Sequence, residues 1–250
     1  MRSLPAPVVG FCLASIVVAV SGCRNGGDAE TSRLPLGTHW MVIVDRSGSR
    51  TFQQMEELRS SLDGLLGGIG YGDKATVLQA MEAGTDRVDE FIDSVNFPRS
   101  GVPNRRERIQ REAVLGTMRS VAQRLADTTG IGAIRTTDLL QSFRRAAEYA
   151  KFSGRRERRL VVFSDMIHSV PGMHFEDMRQ IPGAEWLEAQ TRGKVLPPLD
   201  GVCVFVIGAD PGTVRARRLE GFWRDYFFRA GARVPKEFFN RLLPIRELHC

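Results

Sequence analysis

Asp45, Ser47 and Ser49 place one carboxylate and two hydroxyls at alternate positions of the stretch HWMVIVDRSGSR, directly after an apolar run. Gly48 lets the backbone turn between the two serines. All three side chains offer oxygen, so the chemistry open to them is coordination of a hard cation. Two other stretches could bring oxygen to the same place. A helical pattern opens with Thr136, Thr137 and Asp138, and the apolar run RRLVVF ends in Ser164 and Asp165.

These residues need elements that bring them together. WMVIV, RLVVF and GVCVFVIG are short all-apolar runs, suited to strands buried on both faces. Between them lie amphipathic helices. Phe52, Met55, Leu58, Leu62 and Leu65 recur at spacings of three and four, and Ile109, Val114, Met118, Val121 and Leu125 mark one side of an Arg-rich helix. TTDLLQSFRRAAEYAKF carries its own capping residues, FEDMRQIPGAEWLEAQTR reads as a broken helix, and GTVRARRLEGFWRDYFFRAGA reads as the last helix. On that helix Trp223, Tyr226, Phe227 and Phe228 are expected in the core. KATVLQAM and DEFIDSVNF are candidate strands that could pair as a hairpin, the second with a short helix as its alternative.

Buried strands alternating with helices predict an α/β fold: one domain built on a doubly wound, mainly parallel sheet with helices on both faces. Ligand sites in such sheets lie beyond the carboxyl ends of the strands. Asp45, Ser47, Ser49, Thr137 and Asp165 all fall there. Mg²⁺ prefers oxygen ligands and retains waters, and Mn²⁺ accepts a similar set. Two carboxylates among neutral hydroxyls leave such an ion with excess positive charge, so an acidic side chain from another protein could complete its shell.

The order D-x-S-x-S after a buried strand, a Thr-Asp helix start, then an apolar strand ending in Ser-Asp resembles the von Willebrand factor A domain over Thr38 to Ala232. The resemblance implies a metal-ion-dependent adhesion site on Asp45, Ser47, Ser49, Thr137 and Asp165, with hydroxyls touching the ion and carboxylates acting largely through water. The pattern departs from the family at Met166, where many members carry Gly.

Residues 1–22 read as a secretory signal, with Arg2 ahead of an apolar run over 8–20 that is short for a membrane span. Val20-Ser21-Gly22-Cys23 resembles a bacterial lipobox, which would make Cys23 the lipidated first residue of the mature chain. Residues 23–37 then form a flexible tether, about 20 Å long as a random coil, and residues 38–250 the domain. Arg24 fits sorting to the periplasmic face of the outer membrane, by resemblance to Gram-negative lipoproteins.

Of the remaining cysteines, Cys203 lies in an apolar strand and is expected to be an inert core thiol, with a bridge to Cys250 as the alternative. His168, three residues past Asp165, is expected on a surface loop, with a place lining the same edge as the alternative. Only Lys74, Lys151, Lys194 and Lys236 are lysines among 35 basic residues, a bias that reads as genome composition. The net charge of +6 excludes little by itself, and export to the envelope argues against nucleic acid. GRRERRL precedes a buried strand, which sets Arg155, Arg156, Arg158 and Arg159 at the sheet's amino end; a solvated surface or contact with anionic lipid are the two readings.

The function expected is a non-enzymatic envelope lipoprotein that binds a protein partner through Mg²⁺. One alternative is a structural protein of the same fold without metal. A metal-dependent phosphohydrolase of haloacid dehalogenase type is the enzyme alternative. It usually needs a second acid two residues after the nucleophile, where this chain has Ser47. No G-x-S-x-G elbow supports a serine hydrolase.

Overall fold

The computed structural model describes residues 36–45, 52–82, 90–97, 99, 101–126, 136–209, 212–242, 248 and 250. The expected signal segment, Cys23, most of the expected tether, Ser47 and Ser49 lie outside the described residues.

Chain order runs β1 (His39–Val44), α1 (Phe52–Gly68), β2 (Lys74–Gln79), β3 (Glu90–Asn96), α2 (Arg105–Ala126), α3 (Leu139–Lys151) and β4 (Arg158–Phe163). It continues through β5 (Ser169–Val170), β6 (Met173–His174), a 3₁₀ turn (Met178–Gln180), α4 (Ala184–Arg192), β7 (Cys203–Ile207), α5 (Val214–Arg229) and β8 (Phe239–Asn240). The main sheet has the order β3-β2-β1-β4-β7-β8. All its pairings are parallel except β2 with β3, which is the hairpin partner the alternating pattern suggested.

The central strands separate two apolar layers because successive side chains face opposite sides. Met41 and Ile43 of β1 join α3, α4 and α5, whereas Trp40, Val42 and Val44 join α1 and α2. Met55, Leu58, Leu62 and Leu65 of α1 are all buried, as their spacing requires. Burial of one such side chain contributes about 1.5–3 kcal/mol. On the other face, Phe143 of α3 meets Trp223, Tyr226 and Phe227 of α5 at ring separations of 4.9–6.0 Å. No described helix is long and apolar enough to cross a membrane.

Several expectations are corrected. Phe228 is 74% exposed, because it falls on the outer side of α5 while its neighbour Phe227 fills the core. Ile109 is 60% exposed, and the buried positions of α2 include Leu115 and Met118. Residues 239–240 add an edge strand to β7, which their short, non-alternating sequence did not announce. Cys203 is not a free thiol. It is bridged to Cys250 with a Cα–Cα distance of 6.0 Å, within the ordinary span of a disulfide.

Candidate functional site

The last pairing between the two central strands sets the site. Just past β1, Asp45 N–H donates to Phe163 O at 3.0 Å, so the aspartate stays in register with the end of β4. Its carboxylate is only 1% exposed. Ser164 Oγ–H donates to Asp45 Oδ2 at 2.7 Å, across 119 positions of sequence. Ser164 is held in turn, since Met166 N–H donates to its Oγ at 2.9 Å. Asp165, between them, folds its Oδ1 onto Ile167 N–H at 3.0 Å, which fixes the carboxylate by a local turn.

Met166 has φ +65°, a left-handed conformation that glycine adopts without strain and methionine does not. Its side chain is fully buried, and its carbonyl accepts the indole N–H of Trp223 at 3.0 Å. Core packing and that bond from α5 therefore hold a backbone turn that costs about 1–3 kcal/mol in isolation.

Thr137 reaches the same edge from α3. Its backbone exchanges two 2.9 Å hydrogen bonds with Ser169, beyond β4, and its side chain is buried. The next residue secures the other side: Asp138 N–H donates to Met81 O at 2.7 Å, just past β2. Asp138 also caps α3 by accepting from Gln141 N–H at 2.9 Å. Ser142 completes the clamp, donating to Asp138 O and accepting from Met81 N–H.

His168 is fully buried beneath this clamp, a correction to its expected surface position. Leu139 N–H donates to its Nδ1 at 3.2 Å, which leaves the proton on Nε2. Burial lowers its pKa to about 4, so the ring is neutral at physiological pH. The reason for the missed placement is tertiary: the hairpin β5–β6 and Phe175, 5.2 Å away, fold over the ring.

Asp45 thus bonds to the residue before Asp165, at the ends of the neighbouring strands β1 and β4, and Thr137 is bridged to Ser169, four residues beyond Asp165. The described donors are all oxygens, which fits a hard divalent cation. Among the described residues no group of three or more His, Cys, Asp or Glu is placed to hold a metal ion. The role of Ser164 in holding Asp45 was not anticipated; its only sequence signal is adjacency to Asp165. A groove of about 560 Å³ lies along the 3₁₀ turn and the start of α5, lined by Glu176, Asp177, Met178, Arg179, Thr213 and Arg215. Ser169 Oγ and His174 Nδ1 are 3.0 Å apart, but they are cross-strand partners in β5–β6 and the serine is buried.

The four arginines lie at the opposite end of the sheet. Arg155 donates to Asn96 at 3.0 Å, Arg158 to Asp200 O at 2.8 Å, and Arg159 stacks 4.8 Å above Trp40 while pairing with Glu157. Arg156 is exposed.

No family model matches the sequence, and no curated protein matches it. Solved structures do resemble it in fold. One is an aerotolerance-related membrane protein from Bacteroides fragilis, at 14% identity and a TM-score of 0.43, covering 83% of this chain and 92% of that one. A von Willebrand factor type A protein from Catenulispora acidiphila is similar at 11% identity and a TM-score of 0.43, covering 84% of this chain and 40% of that one. This chain therefore spans well under two thirds of that protein. The manganese-loaded TRAP protein of Plasmodium vivax is similar at 14% identity and a TM-score of 0.40, covering 85% of this chain and 70% of that one. The likeness is one of fold alone.

Proposed function

We propose that this chain is a von Willebrand factor A-type binding module that holds Mg²⁺ or Mn²⁺ at the carboxyl edge of its sheet and docks an acidic side chain of a protein partner. The observation that carries this reading is the buried Asp45 carboxylate at the end of β1, with Thr137 and Asp165 brought to the same edge. Asp45, Thr137 and Asp165 would hold the ion together with Ser47 and Ser49. When bound, the ion supplies a positive centre that attracts a carboxylate. The chain's part is to position oxygens: Ser164 fixes one oxygen of Asp45, Ile167 N–H fixes one of Asp165, and the Ser169 bridge fixes Thr137.

The phosphohydrolase reading lacks the second acid two residues after its nucleophile, where this chain has Ser47. The module is non-enzymatic in this proposal. It is tethered to the bacterial envelope through lipidated Cys23, so that the metal edge, on the far side of the sheet from the entering chain, is presented to partners.

Titration with Mn²⁺ followed by electron paramagnetic resonance tests the metal. One bound ion per chain is expected, displaced by Mg²⁺ and lost in Asp45→Ala and Thr137→Ala. A folded protein that binds no Mn²⁺ in the presence or absence of an acidic peptide would leave the structural reading. Metabolic labelling with a fatty acid tests the anchor: the label should be absent from Cys23→Ser.

A further inference from the structure

We propose that the amino edge of the sheet is a docking surface for an anionic lipid bilayer, with the exposed rings of Phe152 and Phe228 entering the head-group region. The inference does not depend on the metal site. Two helices of one layer end at this edge. Helix α3 starts at the carboxyl edge, where Thr137 and Asp138 are clamped, and therefore finishes at the amino edge before β4. Helix α5 finishes beside the start of β7, since Leu199 N–H donates to Ala230 O at 2.8 Å and Arg233 N–H to Val202 O at 2.8 Å.

Each helix end presents a large aromatic ring to solvent. Phe152 is 75% exposed and Phe228 74% exposed, although the rings immediately inside α5 are buried. Solitary exposed apolar residues are ordinary. These two are flanked by cations: Lys151 lies 5.5 Å from the Phe152 ring centre, and Arg156, Arg229 and Arg233 sit in the same segments, Arg233 exposed although its Nε–H donates to Gly201 O at 3.2 Å. The chain also enters here, with Leu36 44% exposed and Gly37 N–H bonded to Gly72 O ahead of β2.

Asp73 is the acid turned inward at this edge, Glu157 is exposed but paired, and Asp200 is exposed ahead of β7. Asp73 accepts from Thr38 N–H, Gly70 N–H and the Trp40 indole, and Glu157 pairs with Arg159. Aromatic rings among head groups with cations beside them match an interfacial membrane contact. The structure also moves the contact away from Arg155, Arg158 and Arg159, whose guanidinium groups serve Asn96, Asp200 and Trp40. Arg156 alone of that set remains exposed for it.

The test uses the full chain with a reporter at each edge. Phe152→Trp and Phe228→Trp report the amino edge, and Val214→Trp, 64% exposed at the start of α5, reports the opposite one. Each variant is mixed with vesicles of brominated phosphatidylcholine, with or without phosphatidylglycerol, and the wild-type signal is subtracted. Quenching at 152 or 228 should exceed that at 214 by about twofold or more in anionic vesicles. It should fall in high salt and when Arg156→Glu and Arg233→Glu are added, as a charge-driven contact requires. Equal quenching at the two edges, or quenching that ignores phosphatidylglycerol, would overturn the proposal. So would rings that stay unquenched on vesicles but become protected by an acidic protein.

Discussion

Ser164 fixes one oxygen of the buried Asp45 carboxylate. Its hydroxyl, directly after β4, gives that oxygen a short hydrogen bond of 2.7 Å. Ser164→Ala leaves the carboxylate short of a donor in a buried site, so it should lower stability by about 1–3 kcal/mol. Urea denaturation measures that cost. Mn²⁺ affinity should weaken as well, because the oxygen positions loosen. Two buried imidazoles make a second prediction. His39 is pushed down to about 3, by burial first and then by Lys74, Arg155 and Arg158, and His168 is pushed down to about 4 by burial. Both rings are neutral in the folded chain where the unfolded chain would protonate them below pH 6.5. Their contribution is complete above pH 6.5 and is lost as pH falls, toward about 4 for His168 and about 3 for His39, each ring adding a slope of at most about 1.4 kcal/mol per pH unit. Chemical denaturation at pH 7, 6 and 5 should show that decline, and His168→Gln should make it shallower.

At the scale of elements, periodicity and placement separate cleanly. The three all-apolar strands and α1 follow from local pattern, and so does the arrival of Asp45, Thr137 and Asp165 at strand and helix ends. Their burial partners do not follow. Ser164 reaches Asp45 only because β1 and β4 are neighbours in register, a pairing no local stretch encodes. His168 looks exposed until β5, β6 and Phe175 cover it. Phe228 reads like Phe227 in a run of aromatics, and only the direction of α5 over the sheet separates the exposed ring from the buried one. The Cys203–Cys250 bridge was equally hidden, since an apolar strand context suits a free thiol as well as a bonded one. That bridge closes a separation of 47 residues. Loop-closure entropy assigns it about 4 kcal/mol, so dithiothreitol and the paired Cys203→Ala, Cys250→Ala variant should lower the unfolding midpoint to a similar degree. An unchanged midpoint under reduction would mean that the tail packs without its covalent tie.

Across the whole molecule, the sheet gives two unlike ends. The carboxyl edge gathers buried oxygens on loops clamped by backbone bonds, and the amino edge gathers arginines, two exposed rings and the entering chain. A chain lipidated at Cys23 and docked by its amino edge would hold the oxygen site outward, where a partner's carboxylate can reach it. The binding role of the outward edge depends on whether the oxygens bind an ion. The most direct measurement is thermal unfolding of EDTA-stripped protein with and without Mg²⁺ or Mn²⁺, beside Asp45→Ala. Ion at about 100 times its dissociation constant should stabilise by about 2.7 kcal/mol, roughly 5–10 °C in midpoint, and Asp45→Ala should show no shift. A midpoint that ignores both ions in the wild-type chain, also when an acidic peptide is present to complete the shell, would contradict the account.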